Sequence, residues 1–298
     1  MITAALVLLA ALVPAGPVKL GAVAADSVIV AMQRERTDTQ NWLRTSPTSY
    51  LAAIQRVDFG SKPLLTVGRA SDNDVRLSDS EIADHHLQVS VTESQFEIQA
   101  LDAAARFKVG DRELRDATLG PSSIGLGRYQ IRLSHQGFPA LIVFDPDSPG
   151  FHAYKGLRFF PPNLSYRYLV KLERKPHADT VVILSTRGNR RRALRVGWFD
   201  FKVDQTPCRL EVTRLLEPGV GENDLSVFFR DATTGKETYE VGRYVDPRRQ
   251  PDGSYLLDFN FAYSPACAFS DHYNCPIPTK PNTLSVPIRA GEMDSHYH

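Results

Sequence analysis

Residues 87–100, LQVSVTESQFEIQA, hold two segments, LQVSV and FEIQA, in which apolar and polar side chains alternate. A period of two sends successive side chains to opposite faces of a strand, so each segment buries one face and wets the other. YQIRL at 129–133 repeats the pattern. Outward from these segments, across 57–133, stand turn formers: Gly60, Asp72-Asn73, the Asp79–Asp84 stretch, Gly110-Asp111 and Gly120-Pro121. Short alternating strands punctuated in this way argue for a β-sandwich.

Composition sets the outer limits. The chain has 298 residues, enough for two domains at about 150 residues each. It is 42% hydrophobic and 23% charged, and 35 Lys+Arg against 34 Asp+Glu leave a formal charge of +1. Such a chain is neither disordered nor a polyelectrolyte, and bulk attraction to nucleic acid or acidic membrane is not expected. Twenty Pro and 19 Gly among many Tyr, Phe, Val and Thr favour short strands, and the fold class expected is all-β.

The apolar run at 4–13, AALVLLAALV, is too short to cross a bilayer, which takes about 20 apolar residues. With the small residues Ala22-Val23-Ala24 after it, the run reads as a signal peptide over 1–24, giving a chain exported to the periplasm or secreted. No stable membrane span is expected after cleavage. The Met-Ile-Thr start has no Lys or Arg, which keeps an uncleaved anchor as the alternative. Residues 25–56 are expected to form a helix and lead-in: 26–44, DSVIVAMQRERTDTQNWLR, contains no Gly or Pro and is expected to lay Trp42 and Leu43 on the first β domain.

GRASDNDVRLSDSEIADHH at 68–86, FKVGDREL at 107–114 and LGPSSIGLGRYQIRL at 119–133 together resemble the forkhead-associated domain, expected here over 57–137. The resemblance implies a phosphothreonine-peptide site built from an Arg, a Ser and an Asn, since a dianionic phosphate needs charge-assisted donors. Gly68, Arg69 and His86 match that pattern. Ala83 stands at the Ser position, and Gly110-Asp111 replaces the Asn-Gly pair. A lost hydroxyl, a lost amide and a gained carboxylate make the site degenerate, with Arg69 and His86 left to hold loops together.

Asp145-Pro146-Asp147-Ser148-Pro149-Gly150 marks a boundary, with 138–150 as connector and 151–298 as a C-terminal domain. Strands are expected at 166–174, 180–186, 193–203, 208–216, 225–231, 237–245 and 254–263, joined at Gly188-Asn189, Asp204–Pro207, Thr233–Lys236 and Asp252-Gly253. They predict an antiparallel β-barrel or sandwich. KGLRFFPPNLSYR, VFFRDATTGKETYEVGRYVD, DFNFAYSPACAFS and NCPIPTKPNTLSVPIRAGE resemble domain-of-unknown-function family 1684, a bacterial group, over nearly the whole mature chain. That resemblance implies a shared fold and supplies no reaction.

If 225–263 is a simple three-stranded meander, Arg230 faces Tyr239, Arg243 faces Leu256 and Tyr239 faces Asn260. One face then gathers Arg230, Tyr239, Arg243, Asp258 and Asn260, a set able to bind a small anionic or polar ligand, with Asp258 orienting an Arg. A solvated outer face is the alternative, and one bulge would break the register.

In an exported chain, Cys267 and Cys275 most simply form a disulfide around ACAFSDHYNCPIP, with Cys208 a buried thiol on a strand. A metal at Cys267, His272 and Cys275 lacks a fourth ligand, so no metal and no cofactor is assigned. A hydrolase is the second reading, using the Asp258/Arg243 face or the Cys267, His272 and Cys275 corner; no catalytic residue is assigned. A structural or protein-interaction role is the third. The basic tip RGNRRRALR at 187–195 is expected to be a solvated turn, and His296 and His298 of the terminal SHYH are expected at most to chelate stray metal without function. No G-x-S-x-G, P-loop, H-E-x-x-H or helix-opening G-x-G-x-x-G occurs.

Overall fold

The computed structural model describes residues 15–296. The apolar run at 4–13 and His298 lie outside the described residues. Helix α1 spans Ala22–Thr45, so Ala22-Val23-Ala24 form its first turn. It stops at Ser46, which precedes Pro47 and takes the extended backbone that a following proline favours. Ahead of it, Ala15 bridges Phe201 and Pro17 bridges Tyr168. Among the described residues no helix is long and apolar enough to cross a membrane.

Eleven strands follow: β1 (Ala53–Asp58), β2 (Leu64–Gly68), β3 (Val75–Arg76), β4 (Leu87–Thr92), β5 (Gln95–Ala100), β6 (Phe107–Val109), β7 (Arg112–Leu114), β8 (Asp116–Leu119), β9 (Ser122–Leu126), β10 (Tyr129–His135) and β11 (Pro139–Phe144). They form a five-stranded sheet, β3-β2-β4-β5-β8, and a six-stranded sheet, β1-β11-β10-β9-β6-β7. Leu65, Val67, Val89, Phe96 and Ile98 of the first meet Ile124, Ile131, Leu133, Leu141 and Val143 of the second in one core. The expected alternation holds: β5 buries Phe96, Ile98 and Ala100 and exposes the residues between.

One correction concerns 138–150, expected as connector. Pro139–Phe144 is a strand hydrogen-bonded on both sides, between β1 and β10. Its ALIVF run does not alternate because both faces are covered, Leu141 and Val143 by the sandwich core and Ile142 and Phe144 by a second cluster shared with the C-terminal half.

After a short helix α2 (Pro149–Ala153), the C-terminal half contains β12 (Arg167–Val170), β13 (Glu173–Leu184), β14 (Arg190–Val203), β15 (Thr206–Leu215), β16 (Val227–Phe229), β17 (Arg243–Val245), β18 (Arg248–Arg249) and β19 (Tyr255–Asp258). These make three small antiparallel sheets, β13-β14-β15, β12-β19-β18 and β16-β17, which do not close into a barrel. Tyr168, Phe199, Phe201, Phe229 and Phe259 fill the space between them, with the Phe259 ring 5.2 Å from that of Phe229 and 5.5 Å from that of Phe201. The whole is mostly β with one long N-terminal helix.

The meander expected over 225–263 is not what forms. In the β16-β17 pair Phe229 faces Arg243, and β19 pairs with β12 and β18 instead of β17. Residues 230–242 are wound around Asp231, whose side chain accepts from Thr233 N and Oγ1 and from Thr234 Oγ1. Past Asp258 the expected strand gives way to a 3-10 turn, Phe259–Phe261.

Helix α1 is also corrected. It lies on the C-terminal half, not on the first β domain: Arg36 Nη1 donates to Phe160 O at 2.9 Å, Leu157 N donates to Gln40 Oε1, and Glu35 pairs with Arg248. Trp42 stays partly exposed, edge-on to Tyr50 at 4.9 Å. Polar side chains that reach backbone groups dock this helix, and the hydrophobic pattern carries no trace of them.

Candidate functional site

A cleft of about 150 Å³ runs between α1 and the Asn260–Ser264 segment. Trp42, Tyr50, Phe261 and Phe269 wall it with aromatic surface, and Arg36, Glu292 and Glu35, the last paired with Arg248, supply charge. The Arg36 guanidinium lies over the Phe159 ring, 4.7 Å from its centroid. Nη1 is spent on Phe160 O, while Nε and Nη2 are shielded from solvent and lack a partner. An unsatisfied buried donor costs about 1–3 kcal/mol.

Glu292 is buried and accepts from Ser264 N at 2.7 Å. Burial pushes its carboxyl up to about 7, against the opposing hydrogen bonds from Ser264 and the charges of Arg243 and Arg36. Near neutrality its proton is therefore labile. Neither Arg36 nor Glu292 was singled out from sequence; an Arg within a helix and a Glu near the end of the chain carry no local signature.

The five residues of the expected polar face are dispersed. Arg243 is fully buried: Nη2 donates to Asp231 Oδ2 at 3.1 Å and Ile288 O at 2.7 Å, and Nη1 donates to Ala290 O and to Glu292 O. It is a clamp on the 288–292 segment, beside the Phe229 ring at 5.3 Å. Asp258 orients an arginine as expected, but the partner is Arg167 at 2.7 Å. Asn260 hydrogen-bonds Asp258 and both backbone groups of Asn163, and it alone of the five lines the α1 cleft. Arg230 Nε donates to Val241 O. Tyr239 turns to the cysteine corner, its hydroxyl 3.3 Å from Cys267 O and 3.9 Å from Cys267 Sγ. The reason is register: with β17 against β16 and β19 against β12, no common face exists.

No disulfide joins Cys267 to Cys275, although the two meet: Cys267 N donates to Cys275 Sγ at 3.3 Å. Burial lowers the His272 pKa, against the charge of Asp271 and a hydrogen bond between its ring and the Ile54 backbone. Cys208 sits apart in the C-terminal core. Among the described residues no cluster of three His, Cys, Asp or Glu could hold a metal. The basic tip is largely paired instead of solvated: Arg191 is buried against Glu217, Arg195 binds Glu211 and Asp179, and Arg187 binds Asp58.

At the sandwich tip, Gly68 leaves no room for a side chain, since a Cβ there would lie 2.2 Å from Asp84 O. Arg69 Nε donates to Asp84 Oδ1 at 3.0 Å. His86 is buried, with Nδ1 accepting from Ala83 N and Nε2 bonded to Arg106 O. Asn73, expected only as a turn former, donates through Nδ2 to Asp84 O and Ala70 O and completes the loop tie.

Comparison with known proteins follows these two halves. The forkhead-associated (FHA) domain matches residues 65–124, and the family described as protein of unknown function (DUF1684) matches residues 152–293. No match is found among curated proteins. The solution NMR structure of an uncharacterized protein of Haloarcula marismortui is 34% identical over 52% of this chain and 85% of that one, with a TM-score of 0.41. Mycobacterium tuberculosis EmbR, solved in complex with a low affinity phosphopeptide, is 18% identical over 42% of this chain and 32% of its own, with a TM-score of 0.22. Rad53 1–466, solved with AMP-PNP, is 11% identical over 66% of this chain and 47% of its own, with a TM-score of 0.18. Through its C-terminal half the chain belongs to the DUF1684 family of proteins of unknown function, with an FHA domain ahead of it.

Proposed function

We propose that the protein binds a small organic anion, a carboxylate with an apolar body, in the cleft between α1 and the Asn260–Ser264 segment. The observation that carries this reading is the unpartnered Nε and Nη2 of Arg36, a residue of the same cleft wall as Trp42, Tyr50, Phe261 and Phe269. Guanidinium forks bind carboxylates with two parallel hydrogen bonds, and a site of about 150 Å³ takes a benzene-sized body. Glu292, protonated below about 7, removes the repulsion an ionised neighbour would exert. Thermal denaturation with benzoate, propionate or inorganic phosphate tests the reading. A carboxylate is expected to raise the melting temperature of the wild type and not of Arg36→Met, which keeps the stem and loses the donors. No shift with any of the three, or an equal shift in the variant, overturns it.

A second reading rests on the FHA match: such domains bind phosphopeptides, and a protein-interaction role for residues 65–124 is compatible with it. Because Asp84 occupies Arg69 and Ala83 offers no hydroxyl, a phosphothreonine peptide is expected to bind weakly and to lose binding in Arg69→Ala. An unphosphorylated control peptide binding equally well refutes that reading.

Export is likewise proposed, from the 4–13 apolar run and Ala22-Val23-Ala24. Intact mass of the protein recovered from its native cells is expected to begin at Ala25. A chain that retains Ala15 and Pro17, which bridge Phe201 and Tyr168, would speak against cleavage there.

A further inference from the structure

The Tyr239 hydroxyl lies 3.9 Å from the Cys267 sulfur, beside its 3.3 Å hydrogen bond to Cys267 O. A hydroxyl donor beside a sulfur complements a thiolate better than a thiol, since a thiol has its own proton to place and a thiolate only accepts. Cys275 is held differently: it receives the Cys267 N–H, and its own N–H donates to Thr186 Oγ1 at 3.1 Å.

The two cysteines also differ in access. Cys267 lines a cavity of about 690 Å³ with Thr186, Arg187, Tyr239, Glu240 and Asp271, whereas Cys275 is not part of that wall. A cavity of this size admits a small-molecule ligand, and its rim carries charges of both signs. Cys275 lies behind, near Arg191, which donates to Asn274 O at 2.9 Å and is anchored by Glu217. Both thiols belong to the cluster in which Ile142 and Phe144 of the FHA half meet Phe228 and Tyr244 of the other.

We propose that Cys267 and Cys275 form a thiol–disulfide exchange site, in which Cys267 attacks a low-molecular-weight disulfide entering from the cavity and Cys275 resolves the mixed disulfide. In the first step the Cys267 thiolate bonds one sulfur of R–S–S–R′. The S–S bond breaks, and R′S⁻ leaves and takes up a proton. In the second step Cys275, deprotonated, bonds Cys267 Sγ, the Cys267–SR bond breaks and RS⁻ leaves as RSH. The substrate disulfide gains two electrons and becomes two thiols, and the dithiol loses two and becomes a disulfide. The hydrogen bonds that lower the Cys267 pKa, and the interaction with Cys267 together with burial that raises that of Cys275, agree with this division of roles.

The experiment uses the full chain, reduced and freed of reductant, with oxidised glutathione as probe. The wild type is expected to lose two hydrogen atoms in intact mass while releasing two thiols, with peptide mapping placing the new bond between Cys267 and Cys275. Cys275→Ser is expected to stop at one glutathionyl adduct on Cys267, and Cys267→Ser to form none. Tyr239→Phe, which removes one donor and keeps the ring, is expected to slow adduct formation near neutral pH by about three- to tenfold. It should react normally at high pH, where every thiol is ionised, because each unit of thiol pKa is a tenfold change in thiolate below it. Under native alkylation of the wild type, a reading that needs no variant to fold, Cys267 is expected to react before Cys275 and Cys208. First reaction at either of the other cysteines, or a wild type that keeps both thiols under excess oxidised glutathione, overturns the proposal.

Discussion

Arg243 shows how a residue that reads as a ligand fork becomes a strut. Its guanidinium satisfies Asp231 and three backbone carbonyls of the 288–292 segment, all out of contact with water. Removing one partner of such a pair leaves the other charge buried and alone, at a cost of about 3–5 kcal/mol. Arg243→Ala is therefore expected to lower the unfolding free energy from urea titration by that much, and a variant as stable as the wild type would refute the clamp. Glu292 carries the pH dependence. Its ordinary value is 4.5 and its folded value about 7, so between these the folded state holds a proton that the unfolded state has released. Stability from this group is complete below about 4.5 and falls as pH rises through 7, by on the order of 3 kcal/mol. Urea midpoints from pH 5 to 8 should decline in the wild type, and Glu292→Gln should flatten that decline. A slope unchanged in the variant would assign it to another group.

Strand β14 carries the C-terminal half as an element: it pairs with β13 on one side and β15 on the other, and its register shifts near Gly197 in both pairings. A Cβ on Gly197 would lie 2.2 Å from Glu173 O, a backbone atom with no freedom to move aside. Gly197→Ala is expected to cost about 1–3 kcal/mol through this overpacking and to raise amide exchange along β13. Exchange unchanged over 173–184 would show that the strand yields cheaply. The strands of both halves were legible in outline, with β4, β5, β10, β14 and β15 close to the segments that alternation and turn residues mark, while β13 runs through the break expected at 175–179. Elements shaped by burial on two faces were not: β11 has no alternation to read, and the 230–242 loop is organised by one carboxylate, Asp231. Helix α1 was legible as a helix, but the half it docks on was not, because Arg36 and Gln40 bind backbone groups that any sequence presents.

For the molecule as a whole, the two halves share a buried cluster, in which Ile142 and Phe144 meet Ile183, Ala193 and Phe228. Phe144 is completely buried there. A joint of this kind makes unfolding of the halves cooperative, so calorimetry is expected to show one transition in the wild type. Phe144→Ala should cost about 3–5 kcal/mol and separate the transition into two. Two transitions already in the wild type would show the halves to be energetically independent. The same joint holds Cys267 and Cys275, so a change of state at those sulfurs falls where the halves meet.

Local pattern alone carried the strand-rich class, the turns at Gly188-Asn189, Asp204–Pro207 and Asp252-Gly253, and the FHA and DUF1684 resemblances, because alternation, turn residues and motif spacing act over a few residues. Only the tertiary structure decided which strand lies beside which, and with that the fate of every candidate site residue. Arg243 faces Phe229 and reaches Asp231, Asp258 finds Arg167, Tyr239 finds Cys267, and Arg36 meets Glu292 across a cleft. These partners are far apart in the chain or depend on a loop path. An extended strand offers the same hydrogen bonds to any neighbour, and the burial that selects the neighbour is a property of the assembled core.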